Sequence, residues 1–182
     1  MKKSILKAGK KYTFSDYFEL NNPAEEIVGE LGYSFSHEVI NLPQSKDYNV
    51  SDVKKLQNTF YTILPKITIN SEIAKREFLI APILVEIAKN TDSKINVEYP
   101  IEIDDRLSGS LDYLICSKQE LIVIEAKKGD LEKGFSQLST ELIALDKYEE
   151  NNAGNMLYGA ITIGDVWKFG ILKRDKQHII LF

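Results

Sequence analysis

Three charged side chains on two predicted neighbouring strands have the residue types and spacing that a metal-assisted hydrolase requires. Asp112 interrupts the apolar segment 110–116, and Glu125 and Lys127 end the apolar segment 121–127. Side chains alternate along a strand, so Glu125 and Lys127 share one face. Carboxylates bind Mg²⁺ or Mn²⁺, and such an ion polarises a phosphoryl oxygen and acidifies its bound water. A neighbouring lysine can orient that water, so the pattern predicts phosphodiester hydrolysis.

Each of the three charges also has a purely structural interpretation. The sheet can end near Lys127, in which case Glu125 and Lys127 both reach water. Asp112 can begin its strand and cap the turn formed by the glycine and serines before it. A charge buried alone is costly, whereas a charge at a strand end is not. The three residues together favour a site more strongly than any one of them alone.

Two predicted helices carry further candidates. At about 100° per residue, Glu77 falls on the apolar side of its helix with Ile73, Ile80, Leu84 and Ile87, and is therefore expected to face the core. The alternative for Glu77 is a buried salt bridge, near Arg76 or to Lys127. On the second helix, Gln137 can reach the carboxylates from the helix start, or it can lie on a solvated flank.

The elements that must position these residues follow from periodicity and from turn residues. Helices are predicted over 24–31, 51–64, 70–90 and 129–150, the last with the apolar stripe Phe135, Leu138, Leu142 and Leu145. Strands are predicted over 34–42, 94–103, 110–116, 121–127, 155–163 and 166–172, with a final edge strand at 178–182. Helices packed on a mixed sheet result, an α/β or α+β architecture.

The spacing D-x(12)-E-x-K, with the acids on successive strands and a helix following, resembles the PD-(D/E)XK nuclease superfamily. Segments REFLIAP, GDLEKGFSQL and YGAITIGDVWKFGIL look especially like the nuclease domains of type I restriction motor subunits and their small relatives. The resemblance covers residues 70–174. One departure is Leu111, which stands where the family pattern often has proline.

The resemblance implies a role for each candidate residue. Mg²⁺ or Mn²⁺ would be bound by Asp112, Glu125 and the Ala126 backbone carbonyl, with Lys127 as the catalytic lysine. Glu77 would be the helix acid that serves catalysis and metal binding, and Gln137 the helix glutamine near the reacting centre. DNA phosphates would be contacted by Lys127, Lys128 and Lys133 and by the basic terminal segments.

The resemblance also implies a fold. It is a restriction-endonuclease-like core in the order α-β-β-β-α-β, with an extra C-terminal hairpin. The expected organisation is one domain over 1–182. Residues 1–69 form a peripheral N-terminal layer, 70–174 form the nuclease-like core, and 175–182 form an edge strand.

Composition limits the remaining function classes. One cysteine and two histidines exclude a disulfide framework and argue against cysteine-rich or histidine-based metal sites. A net charge of −4 argues against non-specific coating of DNA or membranes. Without an apolar leader or a long apolar span, a cytoplasmic protein is expected.

Two function classes stay open at this point. The first is a metal-dependent nuclease acting on DNA, with sequence recognition supplied by a homodimer or a partner subunit. The second is a non-catalytic module or accessory subunit of the same fold, which binds nucleic acid or another protein.

Overall fold

The computed structural model describes residues 4–42, 49–117, 120–125, 129–148 and 154–182, with strand 120–125 described by its backbone alone. The described residues form a seven-stranded sheet in the order β1-β7-β6-β5-β4-β3-β2. Its strands are β1 (Ser34–His37), β2 (Lys94–Asp104), β3 (Leu107–Cys116), β4 (Glu120–Glu125), β5 (Met156–Thr162), β6 (Trp167–Lys173) and β7 (His178–Leu181). The pairs β4–β5 and β1–β7 are parallel, and the other neighbours are antiparallel. The predicted mixed α/β class is therefore confirmed.

Helices cover both faces of this sheet. They are α1 (Phe14–Glu19), α2 (Ala24–Glu30), α3 (Val50–Ile63), α4 (Glu72–Lys75), α5 (Ala81–Asn90) and α6 (Leu131–Tyr148). A π-helical segment, Arg76–Ile80, joins α4 to α5, so that residues 72–90 run as one interrupted helix. Parallel strands need a long crossover connection, because a two-residue turn joins only antiparallel strands. Helix α6 lies in the crossover between β4 and β5.

The apolar side chains form two clusters, one on each face of the sheet. The α6 face includes Leu138 and Leu142 of the helix with Leu111, Leu157 and Leu172 of the strands. The α5 face is smaller, with Ile80 and Leu84 packed on Tyr113, Ile115 and Ala160. The two faces of the sheet are therefore identified by the helix that covers each of them.

The N-terminal segment contributes more to the core than its predicted peripheral position implies. Helices α1 and α2 pack on the outer side of α6, and Phe14, Tyr17 and Ile27 are each at most 1% exposed. Burial raises the pKa of the Tyr17 phenol, whose hydroxyl donates to the Arg106 carbonyl at 2.6 Å. Because α6 is covered on both sides, all of its residues 134–145 are buried, and not the predicted stripe alone.

The position of strand β1 contradicts the prediction that residues 178–182 form an edge strand. Strand β1 pairs in parallel with β7, so that β7 is an internal strand and β1 and β2 are the edges of the sheet. The expected edge strand at 178–182 was wrong because the partner comes from a remote segment. The predicted strand at 34–42 is also shorter, ending at His37.

Leu138→Ala is expected to lower the free energy of unfolding by about 2–5 kcal/mol and the Tm by about 5–15 °C. Leu138 is fully buried on α6, and a side-chain carbon at Gly159 would lie 2.5 Å from its Cδ1, so the leucine fills the space above that glycine. Alanine would leave a cavity there. Urea and thermal unfolding measure the loss, with Leu64→Ala, at a leucine 38% exposed, as the control. Equal losses in the two variants would contradict this packing.

No helix among the described residues is long and apolar enough to cross a membrane.

Candidate active site

Asp112 and Glu125 lie on the adjacent strands β3 and β4, whose pairing relates the faces of the two positions. In the β3–β4 ladder Tyr113 pairs with Val123, so a regular continuation would set Asp112 opposite residue 124. Alternation would then put the positions of Asp112 and Glu125 on opposite faces. Val123 and Glu125 also pair with Ala160 and Thr162 of β5. Ala160 belongs to the α5 face, so the backbone position of Glu125 belongs to it too.

A local irregularity brings Asp112 to that same face. The β2–β3 ladder pairs Tyr99 with Leu111 and Val97 with Tyr113, but it omits the pair between Glu98 and Asp112. Glu98 has a φ of +50°, a left-handed conformation that is uncommon for a residue other than glycine. Leu111 packs in the α6-face cluster and Tyr113 in the α5-face cluster, so β3 changes face between them.

Arg76 identifies the side that Asp112 takes. Its Nη1 lies 3.8 Å from Asp112 Oδ1, and its Cζ lies 5.3 Å from the centroid of the Tyr113 ring. Two consecutive residues of a regular strand point to opposite faces and could not both contact one side chain. Asp112 and Tyr113 therefore both lie on the α5 face, which is also the face of the Glu125 position.

The π-helical segment explains why Arg76, and not Glu77, turns towards the sheet. The segment is closed by the Ala81 N–H, which donates to the Arg76 carbonyl five residues back. Pro82 follows directly and has no N–H with which to continue the α-helical pattern. The wider turn displaces the preceding residues by about one position.

The prediction that Glu77 faces the core is therefore wrong. Glu77 is exposed, and Ile73, expected on the same stripe, is 66% exposed. From Ile80 onward the predicted stripe is confirmed, with Ile80 and Leu84 buried. The regular 100° spacing therefore fails for the residues before Ile80, which include the candidate Glu77.

Arg76 is held by several groups around it. In addition to Asp112, its Nη1 lies 3.4 Å from Glu98 Oε1. Burial opposes the charge of Arg76, but a hydrogen bond to Tyr113 and the charges of Asp112 and Glu98 leave its pKa above the ordinary value. The guanidinium is therefore a permanent cation beside two carboxylates.

A cavity of about 300 Å³ opens at this point, between α4, the β2–β3 irregularity and α1. Its polar lining comprises Ser15, Glu72, Arg76, Glu98, Ser110 and Asp112. Three carboxylates therefore face one guanidinium, and the two serines add neutral hydroxyl groups. The described lining is acidic and favours a cation over a free anion.

Gln137 lies elsewhere and is not on a solvated flank. It is 6% exposed on α6, on the other face of the sheet from Arg76, and its Nε2 donates to Glu141 Oε1 at 2.9 Å. The solvated alternative fails because α1 and α2 cover this side of α6. None of its hydrogen bonds within the described residues reaches Asp112 or Arg76.

The remaining predicted residues are only partly described. Lys133 Nζ lies 3.4 Å from Asn21 Oδ1 near the start of α6. Ala126, Lys127 and Lys128 lie outside the described residues, as does the side chain of Glu125. Over the residues that the structure does describe, no group of three His, Cys, Asp or Glu side chains is arranged to hold a metal ion.

Sequence reasoning missed Arg76 and Glu98 as members of this site. Pro82 inside a predicted helix was the available signal for Arg76, since proline disturbs the helical turn before it. Glu98 carried no such signal, because glutamate is not a residue that favours a left-handed conformation.

Comparisons of the chain with models of protein families, with curated proteins and with solved structures found no match in any of the three.

Proposed function

We propose that this protein is a divalent-metal-dependent nuclease that hydrolyses phosphodiester bonds in DNA, on a restriction-endonuclease-like core. The observation that carries the proposal is the convergence of Asp112 and Glu125. Their backbone positions lie on adjacent strands, at the same end and on the same face, although regular alternation would separate them. Two acidic positions on one face, brought there by a local irregularity, are the arrangement expected of a metal site.

The order of elements supports the same proposal. The interrupted helix 72–90, the antiparallel strands β2, β3 and β4, the crossover helix α6 and the parallel strand β5 follow one another. This is the α-β-β-β-α-β order that the PD-(D/E)XK resemblance implies. β6 then follows β5 as the extra hairpin.

The chemistry of the donor set fits Mg²⁺ or Mn²⁺. Carboxylate and carbonyl oxygens are the ligands these ions prefer, and Asp112, Glu125 and the Ala126 carbonyl would supply them. The ion would neutralise charge on the phosphate and acidify a bound water. Lys127 would orient the attacking water. The oxygen of that water would form a bond to phosphorus, and an ester P–O bond would break. Glu77 is left out of this set because it is exposed.

The protein is expected to cleave DNA only when a divalent metal is present. Plasmid and single-stranded DNA would be incubated with the protein in Mg²⁺, in Mn²⁺ and in EDTA, and the products separated by electrophoresis. Calorimetric titration with Mn²⁺ would measure metal binding separately. Cleavage that persists in EDTA would contradict the proposed mechanism.

A second candidate function is a non-catalytic module of this fold, and the Arg76–Asp112 contact favours it. A guanidinium 3.8 Å from Asp112 Oδ1 partly satisfies the carboxylate without a metal. A protein that neither cleaves DNA nor binds Mn²⁺ would fit this module. Metal binding without cleavage would instead indicate an untested substrate or a missing partner subunit.

A further inference from the structure

We propose that Arg76 binds a phosphate of the nucleic-acid substrate, and that it leaves Glu98 for that phosphate when a divalent cation occupies the neighbouring carboxylates. The inference rests on the proposed function and names one of its substrate contacts. Three observations support it: the long contacts of Arg76, the backbone distortions around it, and the charge of the cavity.

Arg76 has N–H donors that its ion pairs do not use. Its ion-pair contacts with Glu98 and Asp112 use Nη1 alone, at 3.4 and 3.8 Å. An arginine that serves only to pair a carboxylate typically makes two parallel bonds at about 2.7–2.9 Å. The Tyr113 ring lies against the guanidinium and, with the hydrogen bond between the two side chains, limits its orientation.

Two distortions of the backbone converge on this one side chain. The π-helical segment brings Arg76 inward, and the left-handed Glu98 lies where the strand ladder is interrupted. Each costs stability, and both kinds of distortion concentrate at functional sites. The ion pair with the exposed Glu98, worth at most about 1 kcal/mol, would not offset them by itself. A role in binding a ligand accounts for both distortions.

The charge of the cavity requires that the cation binds before the phosphate. Three carboxylates outnumber the single guanidinium in the described lining, so a phosphate alone is repelled. A divalent cation at Asp112 offsets that charge and weakens the hold of the carboxylates on Arg76. The planar fork can then donate hydrogen bonds to two phosphate oxygens, which arginine binds better than lysine. The hydroxyls of Ser15 and Ser110 line the same space.

The test compares Arg76→Gln, Arg76→Lys and Glu98→Gln with the wild-type protein. The probe is a short fluorescein-labelled DNA of whichever form the wild type cleaves, and its binding is followed by anisotropy in Ca²⁺ and in EDTA. Values of KM and kcat are measured in Mg²⁺. Arg106→Gln is the matched control, because Arg106 is exposed on the β2–β3 turn and the charge change is the same.

Arg76→Gln is expected to weaken binding in Ca²⁺ about tenfold to a hundredfold, since it removes charge-assisted hydrogen bonds to a phosphate. The slope of log affinity against log salt should fall by about one. Arg76→Lys keeps the charge but not the planar fork, so its affinity for DNA should lie between those of Arg76→Gln and the wild type. Glu98→Gln should bind DNA at least as tightly as the wild type, because it removes a competitor for the guanidinium.

The opposite directions of Arg76→Gln and Glu98→Gln separate ligand binding from a structural role. If both variants lose affinity and Tm together, the pair only maintains the fold and the inference is overturned. If Arg76→Gln behaves like Arg106→Gln while the wild type cleaves DNA, the inference fails and the proposed function stands. If the wild type neither binds nor cleaves either form of DNA, both fail together.

Discussion

Replacing Asp112 with asparagine is expected to lower the kcat/KM of DNA cleavage about a thousandfold or more and to weaken binding of Mn²⁺. Asparagine keeps the shape of the side chain but removes the negative charge that would hold the ion and, through it, the developing charge on the phosphate. That stabilisation amounts to several kcal/mol, and about 4 kcal/mol corresponds to a thousandfold in rate. Cleavage rates and calorimetric titration with Mn²⁺ measure the two losses.

The matched control for this variant is Asp105→Asn. Asp105 is exposed on the β2–β3 turn, where its carboxylate lies 3.5 Å from Lys11 Nζ, so the same change of charge occurs away from the cavity. It should cleave DNA at the wild-type rate. An Asp112→Asn variant that retains both Mn²⁺ affinity and activity would refute the placement of the site at the β2–β3 irregularity.

Lys127→Ala is expected to lower cleavage by about a hundredfold to ten-thousandfold while leaving Mn²⁺ binding intact. A positioned lysine that orients water and stabilises charge contributes in this range. Its role rests on the E-x-K spacing, because Lys127 follows strand β4 outside the described residues. Rates in saturating Mn²⁺, together with calorimetry, separate loss of chemistry from loss of metal.

Lys94→Ala is a suitable control, because Lys94 is exposed at the start of β2. A Lys127→Ala variant with wild-type activity would remove the catalytic lysine from the proposal. A variant that also loses Mn²⁺ binding would show that Lys127 positions the carboxylates and does not act on water. With Asp112→Asn and Arg76→Gln, the variants distinguish metal binding, water orientation and phosphate binding.

The local pattern of the sequence was sufficient to predict most of the helices and strands. Strands β2 to β6 and helices α3 and α6 were predicted within a few residues, because alternation and helical periodicity record which side of each segment is buried. The D-x(12)-E-x-K spacing likewise set the two acids on neighbouring strands, since SKQE is too short to connect anything but adjacent antiparallel strands. Both inferences depend only on residues close in the chain.

The faces on which the candidate residues lie depended on the tertiary structure. Regular alternation would have put Asp112 on the α6 face, and the irregularity at Glu98 and Asp112 puts it on the α5 face beside Arg76. Regular helical spacing pointed Glu77 inward, and the π-helical turn before Pro82 puts Arg76 there. A shift of one residue changes the face of a side chain, and periodicity alone cannot locate such a shift.

Long-range packing decided the remaining features. Gln137 is buried because α1 and α2, from the remote N-terminal segment, cover α6. Strand β7 is internal because β1 pairs with its outer edge. The sequence by itself therefore determined the kinds and the order of most elements, although not helix α1, and the residue types available for chemistry. The tertiary structure decided which of those residues meet, because that depends on contacts between remote segments and on two local departures from regular geometry.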